Sequence, residues 1–295
     1  MTSYVCSGLR IESELPLPLP VCRLAPGDPD LVVLFGGFEV PDGNTQFPWD
    51  VGGAVYGVVT EGILIRAKRE ADFLVTESSI RVGRSSASKE DLGDLVVRMA
   101  LGFVLQSRSM LAFHGAAASR GGKAIAIFGE RGAGKSTTAL GLAKRGWGLL
   151  CDDIVVIEPN GNVPRGAARV RLNADSYNRL MDGRQATKAP LDMDGKYPVE
   201  SGIPARAGTL AMALIVEAAE IDKVETREIR GHGKLSAALG HMHSPPGIGD
   251  PGSRLGRAAS VISGVPMYGI RRPAKRFALE ELLDTIETLS FREAP

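Results

Sequence analysis

Eight consecutive residues, Gly129-Glu130-Arg131-Gly132-Ala133-Gly134-Lys135-Ser136, have the types and spacing that hold a nucleotide phosphate. They satisfy the pattern G-x-x-x-x-G-K-[ST] at every fixed position. The chemistry explains the pattern. Glycines let the backbone curl around an anion, while successive N–H groups and a helix N-terminus face it. Lys135 reaches the β- and γ-phosphates as a point charge, and the Ser136 hydroxyl completes the coordination of Mg²⁺. Residues Gly129 to Thr137 are therefore read as the ATP-binding loop, with Lys135 acting on the phosphates and Ser136 on the metal.

A bound nucleotide becomes a reagent only beside a metal ligand and a group that handles the acceptor. Two adjacent acids, Asp152 and Asp153, come shortly after the loop, at the start of the otherwise apolar run Ile154-Val155-Val156-Ile157. Neighbours on a strand face opposite ways, so the two cannot serve one atom equally. One acid can orient Mg²⁺, directly or through water, and the other can accept the proton of an incoming hydroxyl. His114 sits in the apolar run Leu111-Ala112-Phe113-His114-Gly115-Ala116, before the loop. It is either a satisfied core histidine or an active-site partner of the aspartates.

These residues need elements to position them. Lys123 to Gly129 reads as a buried strand, Lys135 to Arg145 as a helix ended by Gly146, and Leu149 to Glu158 as a second strand. That β-loop-α-β unit belongs to α/β folds with parallel or mixed sheets. Leu111 to Ala118 and Thr209 to Ala218 are further strands, and Ala278 to Leu289 a terminal helix with Leu279, Leu282, Leu283, Ile286 and Leu289 on one face. Upstream, short β-type runs separated by turn residues predict a small, mostly antiparallel sheet. Between the two regions, Leu92, Leu95, Val96, Met99, Phe103 and Leu105 recur at helical spacing over Lys89 to Gln106, with Ser86 or Ser88 as N-cap. The domain reading is a β-rich N-terminal domain over 1–87, a connecting helix over 88–108 and a catalytic domain over 109–295. Residues 239–257, rich in Gly, Pro, Ser and His, read as a long loop able to act as a lid.

Composition narrows the partners. Lys+Arg 35 against Asp+Glu 34 over 295 residues gives a net charge of +1, which argues against a broad surface for nucleic acid or an anionic membrane. No run approaches the ~18 apolar residues of a membrane span, and the N-terminus lacks a basic segment followed by an apolar run. Cys6, Cys22 and Cys151 are odd in number and widely spaced, so neither a disulfide framework nor a zinc site is expected. The reading is a cytoplasmic protein. His232, His241 and His243 lack metal-ligand spacing. Arg165, Arg169 and Arg171 alternate with apolar residues, so a strand would carry them on one face as a solvated edge or as a site for phosphate or an acidic peptide. Arg271, Arg272 and Arg276 form a second basic cluster.

The order His114-Gly115, then Gly129 to Ser136, then Lys144-Arg145-Gly146 with Leu150-Cys151-Asp152-Asp153, resembles the C-terminal kinase domain of the HPr kinase/phosphorylase family. The resemblance is firm over about residues 110–160 and fainter beyond. It implies a P-loop kinase domain of mixed sheet and flanking helices, preceded here by the small β-rich domain. It implies that His114 and both aspartates lie at the active site, with Asp152 the base that activates a seryl hydroxyl and Asp153 a Mg²⁺ or positioning ligand. Cys6-Ser7-Gly8-Leu9-Arg10-Ile11 and Ser13-Glu14-Leu15-Pro16-Leu17-Pro18 are similar to the opening of HPr-kinase-related proteins encoded beside lasso-peptide biosynthesis enzymes. Those relatives phosphorylate a precursor peptide at a serine. A Glu-containing signature loop that HPr kinases carry after the aspartates has no counterpart here. Arg165 to Leu172 is basic instead, which points away from HPr as substrate.

The expected activity is thus an ATP- and Mg²⁺-dependent serine kinase acting on a peptide or small protein, with the lasso-type precursor favoured over HPr. A homo-oligomer is compatible with it. The rivals are a P-loop ATPase and a nucleotide-sensing regulator.

Overall fold

Short alternating strands build the first part of the chain. The computed structural model describes all residues except 24–26, 37, 39–45, 52, 68–70, 84, 182–190, 193, 203–204 and 291–295. The described residues divide into two compact units, Met1–Ala112 with His243–Pro251, and Phe113–Met242 with Gly252–Pro295.

In the first unit the strands are β1 (Thr2–Cys6), β2 (Leu9–Ser13), β3 (Leu31–Phe35), β4 (Trp49–Val51), β5 (Ala54–Val59), β6 (Gly62–Arg66), β7 (Asp72–Val75) and β8 (Ser79–Val82). They form one sheet in the order β1-β2-β3-β8-β7-β6-β5-β4. Only the β2–β3 and β3–β8 pairs are parallel; the others are antiparallel, as the short turn-separated runs predict. Leu9 and Ile11 on β2, and Leu31 and Val33 on β3, are buried at period two.

The helical stretch after the sheet starts where Ser88 accepts a hydrogen bond from the Asp91 backbone N–H at 3.0 Å. It is not one helix. α1 (Lys89–Leu95) and α2 (Leu101–Ser107) flank a π-helical turn at Val96–Ala100. The wider turn rotates the side chains within and after it. Met99, placed by its spacing on the buried face, is half-buried, while Val97 and Ala100 are buried.

The second unit is built on β9 (Leu111–Arg120), β10 (Lys123–Phe128), α3 (Lys135–Lys144), β11 (Gly148–Ile157), β12 (Asn162–Val163), β13 (Arg169–Leu172), α4 (Ala174–Leu180), β14 (Tyr197–Glu200), β15 (Gly208–Ala219), β16 (Glu225–Ile229), α5 (His232–Leu239), α6 (Pro251–Ile262), β17 (Met267–Pro273) and α7 (Leu279–Ser290). Its main sheet runs β11-β9-β10-β15-β17-β16, with β12 on β15. β10, β15 and β17 are mutually parallel, whereas β9 pairs antiparallel with β10 and β16 antiparallel with β17. The sheet is mixed, and β9 lies between β10 and the strand that succeeds α3. β13 and β14 form a separate antiparallel pair.

One core holds this unit together: Ile125 and Ile127 of β10, Leu140 and Leu142 of α3, Leu214 and Val216 of β15, and Leu282, Leu283 and Ile286 of α7. At the helix ends Arg145 binds Glu280, Asp284 and Glu287, and Trp147 Nε1 also donates to Glu287. α7 is thereby pinned against α3 through charge as well as burial.

The predicted long loop over 239–257 is shorter than expected. α6 begins at Pro251 because proline suits a first helical turn, and Arg254, Ala258, Val261 and Ile262 then bury at helical spacing. The glycines and prolines ahead of it conceal that start. Residues His243–Pro251 belong to the first unit, where Tyr56 Oη donates to the Pro246 carbonyl at 3.0 Å and His243 N–H to that of Ala112 at 2.9 Å.

Candidate active site

The loop between β10 and α3 owes its shape to three glycines in left-handed or related conformations. Gly129, Gly132 and Gly134 have φ of 148°, 87° and 103°. A Cβ on Gly129 would lie 2.2 Å from the Val216 carbonyl oxygen of β15, so the backbone passes where no side chain fits. Gly134 caps α3 with no side-chain hydrogen bond, leaving the first-turn N–H groups to face a ligand. Glu130 and Arg131 stand exposed at the loop tip, while Ala133 is buried.

Lys135 is buried, its Nζ donating to the carbonyls of Gly129 at 2.8 Å and Glu130 at 3.2 Å. Burial depresses its pKa, and the charges of Asp152, Asp153 and Glu130 oppose that shift. Ser136 Oγ donates to Asp152 Oδ1 at 3.0 Å, and Thr137 Oγ1 to Ser176 Oγ of α4 at 3.2 Å. The loop, the first turn of α3 and β11 therefore meet at one point.

The two aspartates occupy different surroundings. They stand in the middle of β11 instead of at its start. Asp152 is only 6% exposed and accepts a second hydrogen bond from the Arg171 backbone N–H at 3.4 Å. Burial, then the adjacent charge of Asp153, pushes its carboxyl up to about 7. Asp153 has φ of 71°, a left-handed conformation uncommon outside glycine, which interrupts the alternation of the strand. Its side chain remains 32% exposed, with Arg171 Nη1 3.9 Å from Oδ2.

His114 faces the same corner. Its Nδ1 lies 3.1 Å from the Asp153 carbonyl oxygen. A carbonyl only accepts, so Nδ1 carries the proton and Nε2 is left as an acceptor. Desolvation by the surrounding protein, followed by the charge of Lys135, lowers the His114 pKa and keeps the ring neutral at pH 7. The residues singled out in the sequence thus converge, and the loop glycines, Lys135, Ser136, Asp152, Asp153 and His114 share one neighbourhood. Among the described residues no group of three or more His, Cys, Asp or Glu could hold a metal ion by itself. A Mg²⁺ here would rest on Ser136, one aspartate, water and nucleotide oxygens, a set that suits a hard cation.

Other residues join the site from far along the chain. The His241 carbonyl accepts the His114 N–H at 2.7 Å, and its ring stacks on Phe128 at 6.1 Å between centroids. Arg272 ends β17 on the loop. Its Nε donates to the Ala133 carbonyl at 2.7 Å and its Nη2 to that of Gly132 at 3.0 Å. Each of those carbonyls shares a planar trans peptide with the next N–H, so holding C=O on one side turns the Ala133 and Gly134 N–H groups to the other. The Ala133 N–H is taken by the Glu130 carbonyl, which leaves that of Gly134 aimed into the loop. Arg272→Gln is expected to weaken ATP binding about tenfold, the loss of charged hydrogen bonds to the loop, with little change in the melting temperature. Isothermal titration of the two proteins would check it.

The basic clusters are not free edges. Arg165 precedes β13, so the three arginines do not share one strand face. Arg171 is bound by Asp192 and Asp194 at 2.5 Å each. Arg271 is paired with Glu217 and Glu225, and Arg276 with Glu281.

No family model and no curated protein matches the chain. Among solved structures it is similar to the Hpr(Ser) kinase/phosphatase from Coxiella burnetii, at 15% sequence identity and a TM-score of 0.30, over 60% of this chain and 87% of that one. A superposition that loose carries no inference about activity.

Proposed function

We propose that the protein is an ATP- and Mg²⁺-dependent serine kinase acting on a peptide or small protein. The observation that carries the reading is the corner where Ser136 Oγ meets a buried Asp152 while the adjacent Asp153 stays partly exposed beside neutral His114. A glycine-rich loop with a buried lysine binds nucleotide in many proteins; the unequal aspartate pair supports group transfer.

When bound, ATP would supply the γ-phosphoryl group and Mg²⁺ the positive charge that offsets its negative oxygens. Lys135 and the Gly134 N–H hold the phosphates in the loop. Ser136 and Asp152 would together hold the metal, since the 3.0 Å contact places both oxygens on one side of the loop. Asp153 then accepts the proton of the seryl hydroxyl as the O–P bond forms and the bond to the bridging oxygen of ADP breaks. Its exposure lets an acceptor chain reach it, which buried Asp152 does not. His114, held through the Asp153 carbonyl, positions that base. The division reverses the roles implied by the family resemblance, in which Asp152 is the base and Asp153 the metal ligand. The acceptor suggested by the N-terminal sequence resemblance is a lasso-type precursor peptide.

The test is incubation with γ-labelled ATP and candidate seryl peptides, wild type beside Lys135→Ala. Label is expected in a peptide serine with wild type and to fall by about two orders of magnitude or more in the variant, which has lost a charge-stabilising group. Phosphate release without any labelled peptide would replace the kinase reading with an ATPase.

A further inference from the structure

The turn Asp192–Lys196 is held more firmly than a surface connection requires. Asp192 N–H donates to the Lys196 carbonyl and Gly195 N–H to that of Asp192, both at 2.9 Å. Asp192 Oδ1 also accepts the N–H groups of Asp194 and Lys196 at 2.9 Å. Arg171 clips the turn from outside, with Nε on Asp192 and Nη2 on Asp194. The same arginine reaches both active-site acids, through its backbone N–H to Asp152 and its guanidinium toward Asp153. One residue thus registers the turn against the aspartate pair.

The clip fixes where Lys196 stands. Leu172 of β13 pairs with Tyr197 of β14, so Lys196 lies one step beyond that pair, alongside Asn173. Asn173 caps α4, and Ser176 of that helix is bonded to Thr137 of the phosphate loop. The turn therefore ends at the flank of the nucleotide site. Both nearby acids of the turn are engaged by Arg171, and half-buried Lys196 has no ion-pair partner among the described residues. Arg171, which holds Asp194 of the turn, also brings Nη1 to 3.9 Å from Asp153, the residue whose carbonyl meets His114, so the turn flanks that acid. Lys135 and Lys196 bring two ammonium groups to this flank, and an anion between them offsets their mutual repulsion.

We propose that Lys196 is a second cation of the phosphate site, held by the Arg171-clipped turn so that its ammonium contacts the transferring phosphoryl group. It is the γ-phosphoryl because the turn that carries Lys196 flanks Asp153, where the acceptor enters in the kinase reading on which this proposal rests. Phosphoryl transfer gains from every positive group at that position, and Lys196 adds one to Lys135.

The experiment compares ATP and ADP affinity, and peptide phosphorylation, for wild type, Lys196→Met, Lys196→Arg and Lys135→Ala. Lys196→Met is expected to weaken ATP at least about tenfold, leave ADP within about twofold and lower kcat by about two orders of magnitude. Lys196→Arg, which keeps the charge, should recover part of each. Asp192→Asn with Asp194→Asn, which loosens the clip but keeps Lys196, should give the same selective loss of ATP over ADP. Equal weakening of ATP and ADP by Lys196→Met, or unchanged ATP affinity and kcat, overturns the proposal. Loss of nucleotide in Lys135→Ala alongside an unaffected Lys196→Met leaves the nucleotide site standing and removes only Lys196. Unchanged binding in Lys135→Ala removes the nucleotide site itself.

Discussion

Asp153→Asn is expected to lower peptide phosphorylation by about 10²- to 10⁴-fold, the range for losing a general base, while ATP affinity changes by no more than about threefold. Asparagine is the informative replacement. It keeps the size of the side chain and tolerates the left-handed backbone at φ 71°, so the fold around His114 need not move. Asp152→Asn should behave differently. Its carboxylate is buried against Ser136, so its loss is expected to raise the Mg²⁺ concentration needed for half-maximal rate by about tenfold or more, with the saturated rate less affected. Steady-state rates across a Mg²⁺ series separate the two. If Asp152→Asn abolishes the saturated rate at unchanged Mg²⁺ dependence while Asp153→Asn retains it, the roles belong the other way round.

Gly129→Ala is expected to destabilise the protein by about 3 kcal/mol or more and to abolish nucleotide binding. Two costs add at this position. The backbone φ of 148° is one that residues with a Cβ rarely adopt, and the new methyl would lie 2.2 Å from the Val216 carbonyl and 3.1 Å from the Ala133 Cβ. Neither neighbour is the movable end of a long side chain. Gly132→Ala is the control, since its φ of 87° carries a conformational cost of about 1–2 kcal/mol but nothing lies within 4 Å of the added methyl. Urea denaturation of both variants, followed by ATP titration, should show a large loss at Gly129 and a smaller one at Gly132. Equal losses would mean that contact with β15 does not matter.

Both predictions draw on features of unequal legibility. The phosphate loop is readable directly because its parts are contiguous: an apolar run, spaced glycines, Lys135-Ser136 and a helix-forming stretch. Backbone curvature and helix initiation are local properties, so residue types in order are enough to define them. The same holds for α7, whose apolar face repeats at helical spacing and is buried as that spacing implies. Where a local signal is masked, the pattern misleads. Pro251 opens α6 inside a stretch whose glycines and prolines suggest a loop, and the π-helical turn at Val96–Ala100 shifts Met99 from its expected face.

Strand alternation shows that Asp152 and Asp153 cannot be equivalent, but not which is buried. The contacts β11 makes with Ser136 and with the backbone of Arg171 settle it, together with the left-handed turn of the chain at Asp153. Arg272, His241 and Lys196 carry no motif at all. Arg272 reaches the loop because β17 runs parallel to β15, which in turn runs parallel to β10, so a residue more than a hundred positions away ends beside Gly132. Arg171 has the pattern of an exposed basic strand, yet Asp192 and Asp194 come round to bind it. Residue order alone is enough to propose a nucleotide phosphate as the ligand, because such recognition is made by one short piece of backbone. Which aspartate faces the loop serine, which arginine turns the loop and which lysine stands by it emerge only once the chain is folded, because those assignments depend on strand order and register between segments distant in the chain.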